Sequence, residues 1–320
     1  MTGILLSILF FLLGLLMVVK GAVWFTDGAA LLARRFGVSN LVIGLTIVAF
    51  GTSAPELVVS VVAGLRGQGA MAIGNVVGSN LFNTLAILGL TAIVFPIACS
   101  RSCLHFEVPM CVLVSVCFVA LALKGEGLEL TDGVVLLGFL IIFYFLSLKR
   151  SRRSHPQDIH SPKDKPDVPL LRVIALLVVG LACLILGGEW FVSGATDIAA
   201  ALGVSESIIA LTIVAAGTSL PELATSVAAA SKGNTDMALG NILGSNILNI
   251  TLVLGVASCI TPLQRADIEW DDLFAMAGSA VLMWLFCRCF DGAKRRINRW
   301  EGAILFLLVV AYYTREVLIS

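Results

Sequence analysis

Two glutamates lie where a charged side chain is costly, near the middle of long apolar stretches of the chain. Glu56 belongs to the stretch 40–64 and Glu222 to the stretch 206–230, and each ends a Gly-Thr-Ser-x-Pro-Glu motif. An ionised carboxylate at the centre of a membrane span costs at least about 2.5 kcal/mol, so such a residue is by default functional. Two carboxylates that met inside the membrane would repel each other, and a cation between them would remove that repulsion. The motif therefore predicts a cation site.

The residues around both glutamates offer oxygen ligands of several kinds. Pro55 and Pro221 lack an N–H group and disrupt the preceding helical turn, which frees backbone carbonyls at 50–52 and 216–218. Hydroxyl and amide oxygens come from six further side chains: Ser53, Ser79, Asn83, Ser219, Ser245 and Asn249. Oxygen ligands of these kinds suit hard cations such as Ca²⁺ and Na⁺, whereas zinc, copper and iron favour His or Cys. We therefore predict a site for Ca²⁺ or Na⁺.

The composition indicates what kind of structure holds these residues. Hydrophobic residues make up 58% of the 320-residue chain and charged residues 13%, and the mean hydropathy is +1.00. Soluble proteins average about 45–50% and about 25%, so a soluble fold is excluded. The net charge of zero gives no basic field for nucleic acid. We expect an all-α polytopic membrane protein with ten transmembrane helices, in the apolar stretches 3–33, 40–64, 70–96, 104–123, 130–148, 169–201, 206–230, 236–261, 273–290 and 301–319.

The loop charges orient these spans, because Lys and Arg accumulate on the cytoplasmic side of a membrane. With the N-terminus outside, sixteen Lys and Arg residues fall in cytoplasmic loops and four in outside loops. This bias predicts that both termini face away from the cytoplasm and that the polar segment 149–168 is a cytoplasmic linker. The linker divides a first five-helix unit, 1–148, from a second, 169–320. We expect a multi-pass protein of the cell (inner) membrane.

The two halves of the chain repeat each other. A shift of 166 residues overlays 44–90 on 210–256 without a gap, with 25 identities in 47 positions. Because each half holds five spans, an odd number, the second half must begin on the opposite side of the membrane from the first. Inverted repeats are typical of secondary transporters, whose substrate site lies between the repeats. An old duplication without a shared site is the alternative.

The paired Gly-Thr-Ser-x-Pro-Glu and Gly-Ser-Asn-x-x-Asn segments resemble the two alpha-repeats of the cation/calcium exchanger superfamily, specifically its sodium/calcium exchanger branch of bacterial or archaeal type. The resemblance covers nearly the whole chain and implies a secondary active antiporter, which is not an enzyme and needs no cofactor. It also implies that Glu56 and Glu222 are the central carboxylate ligands. By the same resemblance, Ca²⁺ and Na⁺ sites are completed by the four motif serines and by the carbonyl groups of Ala49, Thr52, Ala215 and Thr218.

Two departures from family patterns bear on the transported ions. Asn249, like Asn83, stands where microbial members can carry Asp, so only two formal charges remain and the Na⁺:Ca²⁺ ratio stays open. The cation/proton branch typically has an acidic residue where this chain has Gly78 and Gly244, which favours Na⁺ coupling. A Ca²⁺/H⁺ antiporter on the same fold, with the two glutamates as proton carriers, is the first alternative.

Other functional classes fit the sequence less well. A passive cation channel would favour a symmetric pore of identical subunits, whereas the ligands here come from two halves of one chain, so a monomer suffices for the site. An intramembrane protease would need a Ser–His pair or an Asp dyad, and none of the three histidines lies at membrane depth. Lys20 either extends towards the membrane interface or pairs with a neighbouring acid. Glu189 and Asp197 either line an ion path or lie near a membrane interface. The oligomeric state and the direction of transport stay open.

Overall fold

The computed structural model describes residues 2–151, 168–204, 217–265, 268–289 and 296–319, so most of the predicted linker lies outside the described residues. Within these ranges the chain forms α-helices, short π-helical segments and four two-residue strands. In chain order they are α1 (Thr2–Phe36), α2 (Asn40–Ile43), π1 (Gly44–Val48), α3 (Ala49–Thr52), α4 (Ala54–Leu65), α5 (Gly69–Leu81), π2 (Phe82–Ile87), α6 (Leu88–Val94), β1 (Ile97–Ala98), α7 (Arg101–His105), α8 (Glu107–Leu123), β2 (Gly127–Leu128), α9 (Leu130–Ser151), α10 (Leu170–Ala201), α11 (Leu220–Ser231), α12 (Thr235–Leu248), π3 (Asn249–Leu254), α13 (Gly255–Ile260), β3 (Leu263–Gln264), α14 (Trp270–Cys289), β4 (Arg296–Ile297) and α15 (Arg299–Ile319).

Seven helical stretches within the described ranges are long and apolar enough to cross a membrane: Ile4–Phe36, Gly69–Val94, Cys103–Leu123, Leu130–Arg150, Leu170–Ala201, Thr235–Ile260 and Trp270–Arg288. The bent pair Asn40–Thr52 and Ala54–Leu65 makes an eighth span if it is counted as one. Two of the ten predicted spans are not among these eight stretches. The span 206–230 is described only from residue 217, and the span 301–319 corresponds to α15, which is not one of the seven. The all-helical membrane class is confirmed, and the number ten stays a prediction.

The two longest helices, α1 and α10, pack against each other through glycines spaced seven residues apart. A Cβ atom on Gly21 would lie 2.8 Å from the Gly180 carbonyl oxygen, and one on Gly187 would lie 3.0 Å from the Gly14 carbonyl oxygen. Only glycine permits backbones to approach this closely. In the most apolar part of each helix only 22% of the residues are buried. This pair therefore lies at the periphery of the bundle, with most of its surface available to lipid.

The helices that carry the motifs lie at the centre instead. In the most apolar parts of Gly69–Val94 and Thr235–Ile260, 78% and 83% of the residues are buried. A stretch that is apolar on all sides and buried on all sides is a core helix. The predicted serine and asparagine ligands of the second motif are therefore held by the two most enclosed of the seven apolar stretches.

Two short strand pairs connect the halves of the chain. β1 pairs antiparallel with β4, and β2 pairs antiparallel with β3. In the repeat register β1 is equivalent to β3, so each strand pairs with the non-equivalent strand of the other repeat. β1 precedes α8 and β2 follows it, so the two strand pairs lie at opposite ends of that helix. Because β3 is paired with β2, the equivalent strands β1 and β3 also lie at opposite ends. Each pair joins two loops that the charge distribution assigns to the same side of the membrane.

Candidate cation site

Each motif glutamate lies in a helix that begins less than one turn before it. Ser53 separates α3 from α4 with φ −84° and ψ 6°, and Ser219 has nearly the same conformation, φ −90° and ψ 6°, before α11. A proline follows in the first turn of each of these helices, and the two parts of the bent span, Asn40–Thr52 and Ala54–Leu65, meet at an angle of 47°. Glu56 and Glu222 thereby lie in the first turn of α4 and α11. The N-terminal end of a helix dipole favours negative charge at that position.

The second motif also contains an irregular turn in both repeats. The helix α5 continues as the π-helical segment π2 and α12 as π3, so the ladder of backbone hydrogen bonds changes near Asn83 and at Asn249. Both asparagines are buried. Single π-helical turns inside α-helices are rare and frequent at functional sites. The irregular backbone therefore marks the predicted amide ligands.

Glu222 accepts hydrogen bonds from both repeats. The Ser53 hydroxyl donates to Glu222 Oε1 at 3.2 Å, and the Ser245 hydroxyl donates to the same oxygen at 3.4 Å. The side chain of Thr52 also faces this carboxyl group. Four of the predicted site residues are thus in one cluster, and two of them come from each half of the chain.

Glu56 has a different environment. It is fully buried, and neither carboxyl oxygen has a hydrogen-bond partner within the described part of the chain. The Thr218 side chain faces this carboxyl group, and Glu222 is close enough to interact with it electrostatically. A buried carboxylate without a compensating partner is costly, and buried polar atoms of this kind in native proteins require an explanation such as a bound ion. A cation between the glutamates would compensate both charges.

Six buried oxygens of the predicted ligand set lack a hydrogen-bond partner among the described residues. They are Glu56 Oε1, Glu56 Oε2, Glu222 Oε2, Asn83 Oδ1, Asn249 Oδ1 and Ser219 Oγ. Ca²⁺ takes six to eight oxygen ligands, so the number and the chemistry of these atoms suit it. No group of three His, Cys, Asp or Glu side chains in the described ranges could hold a metal ion. An ion held here must therefore use neutral oxygens beside the two carboxylates.

The remaining predicted ligands stand apart from this set in different ways. The Ala49 carbonyl already accepts hydrogen bonds from the Ser53 N–H at 2.9 Å and the Thr52 hydroxyl at 3.4 Å, so the helix break does not free it. Ser79 is buried on α5. Ala215 lies outside the described residues. The roles of all the predicted ligands in ion binding, these three included, stay predictions.

Four asparagines that were not among the predicted ligands fix the site helices. Asn241 donates to the Glu222 backbone carbonyl at 3.3 Å and to Thr225 Oγ1 at 2.9 Å. Asn75 makes the equivalent contact with the Glu56 carbonyl at 3.4 Å. These bonds fasten each motif helix to the helix that follows it. Asn75 and Asn241 occupy the same position in the two Gly-Asn-x-x-Gly-Ser-Asn segments, and this repetition is the feature of the sequence that could have pointed to their role.

The other two asparagines join the repeats. Asn80 donates to the Asn246 carbonyl at 3.1 Å, and Asn246 donates to Thr84 Oγ1 at 2.8 Å. The Asn249 amide nitrogen donates to Asn80 Oδ1 at 3.1 Å, while the Asn249 amide oxygen has no partner among the described residues. A buried, connected network of this kind holds a unique geometry. The Gly-Ser-Asn segments therefore support the site as well as contributing to it.

A cavity of about 240 Å³ adjoins the site on one flank. Its walls come from α10 and from both proline-containing turns, and they include Pro55, Pro221, Thr218 and the exposed Glu189. Because Thr218 also faces the Glu56 carboxyl group, this cavity leads towards the first carboxylate. Asp197, further along α10, accepts a hydrogen bond from Ser7 at 2.8 Å and does not line the cavity.

The chain is similar to known exchangers over almost its whole length. The family model described as "Sodium/calcium exchanger protein" matches residues 6–149 and 172–316. The putative antiporter CaxA of Alkalimonas amylolytica is 39% identical over 314 residues, which cover 96% of this chain and 98% of CaxA. The inner membrane protein YrbG of Escherichia coli is 39% identical over 283 residues, 86% of this chain and 87% of YrbG. A structure of the sodium-calcium exchanger NCX_Mj, soaked with 10 mM Na⁺ and zero Ca²⁺, superposes with a TM-score of 0.82 at 35% identity and covers 96% of this chain and 99% of that one.

Proposed function

We propose that this chain, which belongs to the sodium/calcium exchanger family, exchanges Ca²⁺ for Na⁺ by exposing one central site to each side of the membrane in turn. Membership makes it a multi-pass membrane protein that transports cations. The identity of the driving ion and the alternating exposure are the proposal. In this proposal a single chain supplies every ligand of the cation site, and the exchange needs no cofactor.

The observation that carries the proposal is the set of buried oxygens around the two glutamates. Glu56 and Glu222 contribute three of the six unpartnered oxygens, and neutral hydroxyl and amide groups contribute the others. Two carboxylates balance one Ca²⁺ or two Na⁺, so these loads leave the site neutral. A third Na⁺ would give it a net positive charge. Electroneutral loading inside a membrane avoids the cost of an uncompensated charge.

The glycines of the second motif support Na⁺ over H⁺ as the driving ion. An acidic side chain at 244 would collide with its surroundings, because a Cβ atom there would lie 2.6 Å from the Ala49 Cβ and 2.9 Å from the Leu45 backbone. At Gly78 a Cβ atom would have nothing within 4 Å. The repeat that supplies the better-bonded carboxylate thus has no room for an additional proton-carrying acid.

The crossed strand pairs support the inverted arrangement that alternating exposure requires. Equivalent strands lie at opposite ends of α8, as they would if the second repeat were inserted upside down. The charge distribution then puts the β1–β4 pair on the cytoplasmic side and both termini outside. The inner membrane is the proposed location, in line with the name of the relative YrbG.

Flux into proteoliposomes that contain the purified protein tests the proposal. Ca²⁺ uptake is expected to require an opposing Na⁺ gradient and to survive collapse of the pH gradient by an ionophore. Vesicles with the E56Q variant, which removes one of the two charges and keeps the side-chain volume, are the matched control. Uptake that follows the pH gradient and ignores Na⁺ would instead establish the Ca²⁺/H⁺ alternative.

A further inference from the structure

The helices α1 and α10 are equivalent in the repeat, but they do not pack equally on the motif helices. α1 packs extensively along α11, whereas the equivalent pairing of α10 with α4 is not formed to a comparable extent. The cavity described above fills the space that this second pairing would occupy. Phe25 of α1 is 2% exposed, while its equivalent Phe191 on α10 is only partly buried. One of the two equivalent interfaces is thus closed and the other is open.

An ion pair holds the closed interface. Lys232, which follows the last residue of α11, lies 2.6 Å from Asp27 Oδ1 on α1 and donates to the Val23 carbonyl oxygen at 3.2 Å. The neighbouring turn is fixed as well, because Asn40 donates to Asn234 Oδ1 at 3.2 Å. These contacts connect loops that the charge distribution assigns to the cytoplasmic side.

The repeat register identifies the residues at the same positions of the open interface. A shift of 166 residues relates Lys232 to Arg66, which follows the last residue of α4, and relates Val23 and Asp27 to Glu189 and Ser193. Arg66 and Glu189 are both exposed and have no ion-pair partner among the described residues. Each interface therefore has one basic and one acidic residue, although the acidic residue is displaced by one helical turn.

We propose that Arg66 and Glu189 form the ion pair that closes the second interface when the first one opens, an inference that rests on the alternating exposure proposed above. If α10 packed on α4 as α1 packs on α11 here, Arg66 would lie beside the backbone of Glu189 and the side chain of Ser193. Residues four apart share a helix face, so the Glu189 carboxylate would be within reach of the guanidinium group. In the present arrangement the same carboxylate lines the cavity that leads to Thr218.

In this proposal Glu189 has different surroundings in each conformation: the open cavity in one and Arg66 in the other. With the cavity open, its negative charge attracts cations towards the central site. With the interface closed, Arg66 neutralises that charge and removes the attraction. Lys232 and Asp27 separate at the same time, so one ion pair is formed in each conformation.

Cross-linking of two engineered cysteine pairs in an otherwise cysteine-free full-length chain tests the proposal. The R66C/E189C and D27C/K232C variants, treated with a short bis-maleimide reagent, are each expected to cross-link, and a protein that carries both pairs is expected to acquire either link but not both. Each link should reduce exchange to the level of protein-free vesicles. The K124C/D132C pair replaces an ion pair of 3.3 Å within one repeat and should cross-link without loss of exchange.

A population shift provides a second, independent readout. The D27N substitution should raise the cross-linked fraction of R66C/E189C about two- to five-fold, the size of effect expected for an exposed ion pair. The D271N substitution breaks an exposed ion pair between α14 and α15 and should leave that fraction unchanged. Double-linked molecules, or a R66C/E189C pair that never cross-links while D27C/K232C does, would overturn the proposal. Because cross-linking is read on gels, it holds or fails independently of which ion drives transport.

Discussion

Glu56 and Glu222 occupy the same position of two repeats that share 25 residues in 47, yet their surroundings differ. Glu222 accepts hydrogen bonds from Ser53 and Ser245, while the buried Glu56 has no donor within the described residues. The same contrast recurs at the glycines, where 244 is tightly packed and 78 is open. A duplicated sequence therefore does not adopt a symmetrical structure here. The difference indicates that each half can adopt two arrangements. In one its glutamate accepts hydrogen bonds and its motif glycine is tightly packed, and in the other neither is the case.

The largest expected effect comes from neutralising either glutamate. E56Q and E222Q should both abolish Ca²⁺ uptake into vesicles, because each removes half of the charge that balances Ca²⁺. Their stabilities should differ, however. E56Q removes an uncompensated buried charge and should raise the melting temperature of the ion-free protein more than E222Q, whose carboxylate is already bonded. Equal melting temperatures would show that the two environments are alike in solution.

Removing one serine hydroxyl from each repeat is the next comparison. S53A deletes a donor to a buried carboxylate and should cost about 1.5–3 kcal/mol of stability in the absence of Ca²⁺. S219A deletes a hydroxyl that has no partner among the described residues and should cost close to nothing. Chemical denaturation or thermal melting of the two variants measures this difference. A larger loss of stability for S219A than for S53A would show that Glu56, and not Glu222, is the hydrogen-bonded glutamate.

Adding one methyl group to each motif glycine tests the packing difference. G244A should destabilise the protein by about 1–3 kcal/mol, because the new Cβ would overlap Ala49 and Leu45. G78A has free space and should be neutral or stabilising by up to about 1 kcal/mol, the helix preference of Ala over Gly. Melting temperatures of the pair decide it, and an equally damaging G78A would contradict the open surroundings of that position.

The smallest expected effect concerns the asparagines. N83D adds a charge to the site without loss of a hydrogen bond, because the Asn83 amide nitrogen has no partner among the described residues. N249D loses the donor to Asn80 and places a carboxylate against that amide oxygen. We expect N83D to keep more exchange activity than N249D, and both to change the dependence of Ca²⁺ uptake on the Na⁺ concentration. Unchanged dependence in both would separate these residues from Na⁺ binding.

The sequence predicted much of this site because its signals are local. The proline of the motif predicted the helix break that is found at Ser53, and the charges inside apolar stretches singled out both glutamates, which are buried. Both repeats also carry a Gly-x-x-x-Gly spacing, at 74 and 78 and at 240 and 244, but only the second pair lies tightly against a neighbouring helix. Glycine spacing alone does not say which neighbour faces the helix, and that depends on the crossing of whole helices.

Other features left no signal in a single sequence. The difference between the two glutamates cannot be seen in two such similar segments, since it depends on how Ser53 and Ser245 approach Glu222 in the folded chain. The exchanged strands are two residues long, too short for an alternating pattern. The supporting bonds of Asn75 and Asn241 depend on the distance between neighbouring helices. These features arise from tertiary packing, which composition and periodicity do not encode.

The exchanged strands also affect how the chain can be assembled. The partner of Ile97 in the strand pair is Ile297, so the ribosome must add 200 further residues after Ile97 before β1 can pair with β4. At about 5–20 residues per second, that delay is about 10–40 s, during which the first repeat is in the membrane without its other half. Helices that are completed by a later segment are exposed to proteases and to wrong partners in that interval. Residues 1–148 produced alone should therefore be degraded rapidly, and co-production of 169–320 should raise their half-life in a pulse–chase experiment.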